Sequence, residues 1–285
     1  MRLLRFDTPT GPHLGSLEGD QVRDLTAAAP GGPLDFAAWL AFSAADRQAL
    51  RQQAAARPAL PLAGLVLRQP LARPGKVVCL GLNYRDHAAE GGNVAPEYPA
   101  FFLRGSTSLL DPGAPLLRPR CSDKLDFEAE LAVVVGRRAR HRTLEDALEC
   151  VGGYTVFNDG SVRDYQRKST QWTIGKNFDA TGPLGPWVVT PDELPPGATG
   201  LRIQSRLNGQ VMQDANTSLM ITSVAQAIVH LSEAMTLEPG DVIAMGTPAG
   251  VGYARKPPVF MRDGDTIEIE IEGIGVLRNP VRDEA

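Results

Sequence analysis

Three carboxylates in the middle of the chain have the residue types and spacing of a metal site. Glu128 and Glu130 lie two residues apart, and Asp159 follows the apolar run 153–157. Residues two apart in a β-strand point to the same face, and a turn at the end of a strand exposes the side chain it carries. With no His or Cys nearby, three carboxylates make an oxygen-only site suited to Mg²⁺ or Mn²⁺, with Ca²⁺ possible and Zn²⁺ disfavoured.

A second Glu-x-Glu pattern near the C-terminus shows that burial, not spacing, makes the first one unusual. Glu268 and Glu270 alternate with isoleucines, so these glutamates are predicted to face water. Around Glu128 and Glu130 both faces of the predicted strand are apolar. A carboxylate buried in such a strand loses its hydration, and a partner must offset the free-energy cost of that loss. The partner is either Arg or Lys, or a metal ion, and the third carboxylate of Asp159 favours the metal.

Two further groups have the chemistry of proton transfer or charge stabilisation. His87 and Glu90 are three residues apart, so on a helical turn they share a face and the carboxylate can orient the imidazole as a general base. A surface histidine with an incidental neighbour is the alternative. Lys176 is the only Lys in a mainly apolar stretch that runs to Trp187, where it can polarise a carbonyl or simply pair with a carboxylate. The glycine-rich turn at Thr247 lacks the Lys-Ser/Thr of a phosphate loop and is interpreted as a substrate-contacting turn.

The elements that must position these groups are mostly short strands. Apolar runs and turn residues predict helices over 34–56, 143–151 and 224–235, and strands over 76–80, 131–135, 154–157, 242–245 and 266–271. Many strands, few helices and no repeating βα unit predict an α+β, mainly β fold. A proline-rich connector places a boundary near residue 72, giving a small N-terminal domain with its connector (1–71) and a metal-binding catalytic domain (72–285).

Composition excludes several classes of function. The 285-residue chain is 43% hydrophobic with a net charge of −4, so it is expected to fold and has no positive field for nucleic acid or anionic lipid. Three widely spaced cysteines, Cys79, Cys121 and Cys150, form neither a disulfide framework nor a CxxC metal motif. The N-terminus has no apolar signal core, and no stretch approaches the roughly 20 apolar residues of a membrane span. These observations predict a cytoplasmic protein.

Six segments taken together resemble the fumarylacetoacetate hydrolase family. They occur in that family's order over roughly residues 76–280, and their joint match is far more specific than any single motif. The segments are GLNYRDHAAE, DFEAELAVVVG, GYTVFNDGSVRDYQ, WTIGKNFDATGPLGPW, LNGQVMQDANT and GDVIAMGTPAGVG. The resemblance implies a mixed β-sandwich or roll and a homodimer, and residues 1–70 are similar to the small N-terminal domain of some bacterial members.

The resemblance also implies the metal ligands and a neighbouring cation. Glu128 and Glu130 match the family's paired metal-binding glutamates, and Asp159 matches its third metal carboxylate. Lys176 matches the lysine beside the metal. The expected cofactor is therefore one divalent cation, Mg²⁺ or Mn²⁺.

Catalytic and substrate-binding roles follow from the same resemblance. His87 and Glu90 match the dyad of the carbon–carbon hydrolases, while Gln166 and Thr247 match substrate contacts. Arg104 stands where many members have Lys, and it is the candidate for contact with a substrate carboxylate.

The function that the resemblance implies is hydrolysis of the C3–C4 bond of an acylpyruvate, a 2,4-dioxo acid, to release pyruvate and a carboxylic acid. Fold and metal site do not fix the reaction, so oxaloacetate decarboxylation, isomerisation of a 2-oxo-diene diacid and ureidoglycolate-type lyase cleavage stay open on the same site. A non-catalytic protein that binds a small dicarboxylate is the remaining alternative, although mere binding does not require a general base.

Overall fold

A computed structural model describes residues 1–29, 34–92, 94 and 96–285. In these ranges the strands are β1 (Arg2–Thr8), β2 (Gly11–Glu18), β3 (Gln21–Asp24), β4 (Leu60–Pro61), β5 (Leu67–Arg68), β6 (Val77–Gly81), β7 (Ala100–Arg104), β8 (Leu109–Leu110), β9 (Leu116–Arg118), β10 (Leu125–Asp126), β11 (Ala129–Val135), β12 (Val151–Asn158), β13 (Ser161–Val162), β14 (Gly182–Val189), β15 (Arg202–Leu207), β16 (Gln210–Asn216), β17 (Val242–Ala244), β18 (Thr266–Ile271) and β19 (Gly275–Asp283). The α-helices are α1 (Phe36–Ala41), α2 (Ala44–Ala55), α3 (Arg85–Glu90), α4 (Arg163–Gln166), α5 (Thr173–Lys176) and α6 (Val224–Ala234).

Two sheets form the framework, as expected for a mainly β α+β protein. The larger has the order β4-β3-β2-β1-β14-β12-β11-β17-β6-β7, with β5 on β1 and β8 on β14. The smaller has the order β16-β15-β18-β19-β9, and β10 pairs with β13 in a separate ribbon. Most pairs are antiparallel; β6–β17, β8–β14 and β9–β19 are parallel. The sequence-based prediction of the fold class is confirmed.

The strand that leads to the candidate metal ligands is buried on both faces, as its apolar pattern predicted. On one face Leu131 and Val133 of β11 join a core with Ile267 and Ile269 of the smaller sheet. On the other face Val134 and its neighbours pack in a second core that includes the aromatic residues of α1. Every residue of β11 is consequently buried, whereas β18 alternates between buried isoleucines and partly exposed polar residues.

The predicted single helix over 34–56 is interrupted in the structure. Helix α1 ends at Ala41, Phe42 is extended, and α2 begins at Ala44. The reason is a cap at Ser43, whose hydroxyl accepts the backbone N–H of Asp46 at 3.1 Å and so starts a new helix. The predicted helix over 143–151 is reduced to a short 3₁₀ turn at Ala147–Cys150.

The N-terminal region shares the larger sheet with the rest of the chain. Strand β1 pairs with β14, with Arg2 opposite Val189 and Leu3 opposite Val188. The division at residues 71 and 72 stays a prediction, and in this structure it separates two parts of one continuous sheet. No helix within the described residues has the length and apolar character needed to cross a membrane.

Candidate metal centre

The fold brings the three predicted carboxylates together at one end of β11 and β12. The pairing of Ala129 with Asn158 places Glu128, just before β11, beside Asp159, just after β12. Asn158 Oδ1 accepts the backbone N–H of Glu128 at 2.9 Å, and the N–H of Asp159 donates to the Glu128 carbonyl at 3.0 Å. One carboxylate oxygen from each of Glu128, Glu130 and Asp159 lies within 4.8 Å of the others.

Asp126, two residues before Glu128, does not belong to this cluster. Strand β10 ends at Asp126 and β11 begins at Ala129, so Glu128 lies in the connection between two strands. The Asp126 carboxylate instead accepts the backbone N–H groups of Gly252 and Tyr253, at 2.8 and 3.0 Å. The two strands pair with different partners, β10 with β13 and β11 with β12 and β17.

Three buried cations, Lys176, Arg163 and Arg104, compensate part of the negative charge. Lys176 Nζ lies 2.6 Å from both Glu128 Oε2 and Asp159 Oδ2, and Arg163 Nη2 lies 2.6 Å from Glu128 Oε1. Burial tends to raise the pKa of Glu128, but the charges of Lys176 and Arg163 outweigh it and lower that pKa to about 2. Burial tends to lower the pKa of Lys176, but Asp159 and Glu128 raise it above its ordinary value.

Glu130 is the member of the cluster without a cationic partner in contact. Burial raises its pKa well above the ordinary value, and the neighbouring charges of Asp159 and Glu128 raise it further. Its Oε2 accepts only a backbone N–H, from Gly246 at 3.0 Å, among the described contacts. Three converging carboxylates, one of them without a cation in contact, fit a divalent cation with oxygen ligands, such as Mg²⁺ or Mn²⁺.

Arg104 does not reach the cavity, which corrects its predicted contact with a substrate carboxylate. Its side chain is fully enclosed, and Nη1 donates to Asp159 Oδ1 and to the Gly160 carbonyl. Its remaining nitrogens donate to Thr181 Oγ1 at 2.8 Å and Ser108 Oγ at 3.1 Å. Because its guanidinium donates to these protein acceptors, Arg104 positions the Asp159 carboxylate without lining the cavity.

The predicted pair of His87 and Glu90 forms on a short helix beside the candidate metal ligands. His87 and Glu90 lie at the two ends of one turn of α3, with Nδ1 and Oε1 2.9 Å apart. The other carboxylate oxygen of Glu90 accepts the N–H of Gly250 at 2.9 Å, which fastens α3 to the glycine-rich turn. Since Nδ1 is bonded to Glu90, Nε2 is the ring nitrogen left for proton transfer.

Both remaining substrate-contact candidates line the same cavity as the carboxylates. Gln166 Oε1 accepts a hydrogen bond from Arg163 at 2.9 Å, and Thr247 Oγ1 accepts one from Gln213 at 2.7 Å. The cavity has a volume of about 370 Å³. It is lined by Leu80, Gly81, Leu82, His87, Gly91, Phe102, Glu128, Glu130, Asp159, Arg163, Gln166, Arg167, Trp172, Lys176, Thr247 and Tyr253.

Arg163 is a residue of this cavity that the sequence did not single out, although it contacts a candidate metal ligand. Besides Glu128 and Gln166 it contacts Asp126, through Nε at 2.8 Å, and its guanidinium lies 4.4 Å from the ring centroid of Tyr253. The sequence feature that could have pointed to Arg163 is its position four residues after Asp159. That spacing alone does not distinguish a buried arginine from a solvated one, because the partners come from distant segments.

Gly160, next to Asp159, has no room for a side chain. A Cβ at Gly160 would lie 2.0 Å from the Thr181 carbonyl oxygen. Gly160→Ala is expected to cost about 1–3 kcal/mol of stability and to weaken Mn²⁺ binding, because the Asp159 turn must move. Thermal unfolding and calorimetric Mn²⁺ titration measure both effects. Gly64→Ala is the control, since nothing lies within 4 Å of that Cβ; equal Mn²⁺ affinity in both variants would contradict the prediction.

Comparison with known proteins identifies relatives along the whole chain. Residues 76–282 match the family model described as fumarylacetoacetate (FAA) hydrolase, C-terminal. The chain is 41% identical to oxaloacetate tautomerase FAHD2A, mitochondrial, from Bos taurus, over 99% of this chain and 91% of that protein. The human protein of the same name is also 41% identical, with the same coverage.

Solved structures with similar folds include enzymes of different reaction classes. Maleylpyruvate hydrolase from Sphingobium sp. SYK-6, solved with manganese(II) and pyruvate, has a TM-score of 0.84 and 31% identity, covering all of both chains. The 5-carboxymethyl-2-hydroxymuconate delta-isomerase from Mycobacterium smegmatis has a TM-score of 0.79 and 37% identity, again with full coverage.

The predicted cytoplasmic location is wrong by the same comparison, because the cattle and human relatives are mitochondrial proteins. The prediction depended on the lack of an apolar signal core in the sequence. That criterion does not address mitochondria, since segments that direct proteins there are amphipathic and arginine-rich.

Proposed function

The chain belongs to the fumarylacetoacetate hydrolase family, and from this premise we propose that it is a divalent-metal-dependent enzyme that interconverts the keto and enol forms of oxaloacetate. The observation that carries the proposal is one cavity lined by a carboxylate triad, a buried ammonium and a histidine whose Nδ1 contacts a carboxylate. The oxaloacetate tautomerases that match nearly the full chain support the choice of substrate.

The metal would be held by Glu128, Glu130 and Asp159, and when bound it would supply Lewis-acid polarisation of the 2-oxo group. The manganese in the maleylpyruvate hydrolase structure supports Mn²⁺ or Mg²⁺ in this role. Gln166 and Thr247 line the same cavity and are proposed to contact the substrate.

Tautomerisation requires a proton to move between C3 and the C2 oxygen. His87 Nε2 takes the proton from C3, the electron pair of the C–H bond forms the C2–C3 double bond, and the proton is then delivered to the C2 oxygen. Glu90 orients the imidazole and stabilises its protonated form. Lys176 places a positive charge beside the carboxylates, where it stabilises negative charge that develops on the C2 oxygen.

A second candidate is hydrolysis of the C3–C4 bond of an acylpyruvate. The same His87–Glu90 dyad favours it, because a base oriented in this way can take a proton from water as the oxygen adds to C4. The C3–C4 electron pair then leaves with the pyruvate enolate, which is protonated to pyruvate. The maleylpyruvate hydrolase relative supports this candidate.

Two assays distinguish the candidates. The purified protein with Mn²⁺ or Mg²⁺ is mixed with the enol form of oxaloacetate, and loss of its ultraviolet absorbance is compared with the rate without enzyme. Pyruvate release from acylpyruvates is measured in parallel by a coupled dehydrogenase. Rapid tautomerisation without pyruvate release supports the first proposal; pyruvate release alone replaces it with the second. The molar mass of the protein, measured by light scattering as it elutes from a size-exclusion column, tests the proposed homodimer.

His87→Asn is expected to lower turnover by about 10²–10⁴-fold, because it removes the proposed base. Mn²⁺ affinity should stay within about twofold, since the triad is intact. Steady-state kinetics and calorimetry measure the two effects. His141→Asn is the control: His141 is exposed with φ of 51°, a conformation that Asn tolerates. Full turnover in His87→Asn would exclude the general-base role.

A further inference from the structure

One cation of the cavity lies at its solvent-exposed side. Arg167 follows α4 and is exposed, whereas the carboxylate triad is buried. Its guanidinium carbon lies 4.4 Å from the ring centroid of Tyr253, the same ring that Arg163 contacts at 4.4 Å. Stacking on an aromatic ring restrains a guanidinium while leaving its N–H groups, which lie in the plane, able to donate. Arg167 is therefore a restrained donor at the cavity opening.

The other cations of the cavity are already paired. Lys176 contacts Glu128 and Asp159, and Arg163 contacts Asp126 and Glu128. Within the described part of the chain, Arg167 forms no ion pair with a carboxylate. A cation that is restrained and lines a cavity, but has no protein anion, is available to an anion of the ligand.

The charges that line the cavity indicate how many negative charges a ligand should carry. Three carboxylates and three cations line it, the cations being Arg163, Arg167 and Lys176. The ion-pair partners Asp126, on Arg163, and Arg104, on Asp159, add one charge of each sign and leave the balance unchanged. A divalent cation held by the triad would leave a surplus of two positive charges. A ligand with one carboxylate neutralises half of that surplus, and a ligand with two carboxylates neutralises all of it.

We propose that Arg167, stacked on Tyr253, is a specificity residue that binds the second, distal carboxylate of a diacid whose 2-oxo acid end lies at the triad. This inference rests on the proposed function and adds to it the residue that selects diacids over monoacids. Oxaloacetate satisfies the requirement through its C4 carboxylate. An acylpyruvate with an uncharged acyl end does not satisfy it.

The test measures binding of two ligands that differ only at the distal end. The full chain loaded with Mn²⁺ is titrated calorimetrically with 2-oxoglutarate and with 2-oxopentanoate, in which a methyl group replaces the distal carboxylate. We expect the diacid to bind more tightly to the unmodified protein. In Arg167→Met the affinity for the diacid should fall by about tenfold while that for the monoacid changes by less than about twofold. Arg167→Lys should lie between them, since it keeps the charge but loses the planar guanidinium.

Lys168→Met is the matched control, because Lys168 is the next residue, is exposed and contacts the ring of Tyr165 instead of the cavity. It should leave both affinities unchanged. An equal loss for both ligands in Arg167→Met, or no loss for either, would overturn the inference. Because binding is read without turnover, a protein inactive on oxaloacetate that still shows the diacid preference would contradict the proposed reaction and support the role of Arg167.

Discussion

Replacing Glu130 with Gln should lower turnover by about 10³-fold or more, because in the proposed function it removes one of the three carboxylates that would hold the metal, and such a metal contributes several kcal/mol to transition-state stabilisation. The substitution keeps the size of the side chain and an oxygen that can accept the Gly246 N–H. Mn²⁺ affinity, measured by calorimetry, should fall together with turnover. Glu270→Gln is the control, since this glutamate belongs to the Glu-x-Glu pattern on the solvent side of β18. Unchanged Mn²⁺ affinity in Glu130→Gln would exclude Glu130 as a ligand.

Without metal, the same substitution should increase stability at higher pH. The pKa of Glu130 in the folded protein is raised, first by burial and then by Asp159 and Glu128. A carboxyl group whose pKa is raised on folding stabilises the folded state while protonated, and this contribution is lost as pH rises from the ordinary pKa through the raised one. Gln cannot lose a proton. With a metal chelator present, the melting temperature of Glu130→Gln should therefore rise relative to that of the unmodified protein as pH increases across this window. A difference in melting temperature that does not change with pH would contradict the raised pKa of Glu130.

Lys176→Met is expected to have the largest effect on stability. Lys176 is fully buried and lies 2.6 Å from the carboxylates of Glu128 and Asp159, so its loss leaves each of them with a single cationic partner, Arg163 or Arg104. Breaking a buried pair in this way costs about 3–5 kcal/mol. Chemical denaturation of the metal-free protein measures this loss, and Mn²⁺ should restore part of it because the cation neutralises the same carboxylates.

Turnover of Lys176→Met with saturating Mn²⁺ should still be lower by roughly 10²-fold, since the ammonium that faces the developing charge is absent. Lys124→Met is the control: Lys124 is half-exposed, and its nearest carboxylate, on Asp123, is 3.7 Å away. If both lysine variants lost the same small amount of stability, the ion pairs of Lys176 would not be important to the folded state.

The local pattern of the sequence was sufficient to predict the strands β6, β11, β12, β17 and β18, the helix α6 and the acidic residues, because alternation reports which faces of a strand are buried. It predicted that Glu128 and Glu130 are buried and that Glu268 and Glu270 face water, as the structure has them. It also predicted the hydrogen-bonded pair of residues on α3.

Contacts between distant segments could not be predicted in this way. Whether a buried carboxylate is paired with a cation or with a metal depends on which cations tertiary packing brings near it. Glu128 is contacted by Arg163 and Lys176, which lie 35 and 48 residues away along the chain. Arg104 is a second example of a contact that the sequence could not predict. Its position in the sequence indicated a contact with the substrate, whereas in the folded chain its guanidinium donates to Asp159.

The pairing of β1 with β14 has a consequence for the order in which the chain is made. The hairpin β1–β2 is complete once residue 18 has been synthesised, but β14 ends at Val189. Strand β5 covers Arg5 and Phe6 of β1 once residue 68 has been made, but at typical rates of about 5–20 residues per second the edge at Arg2 and Leu3 waits roughly 10–35 s on the ribosome for β14. During this interval an unpaired strand edge is open to other chains. Slow synthesis between residues 18 and 189 should therefore favour aggregation of the nascent protein, and a chaperone that covers β1 should suppress it.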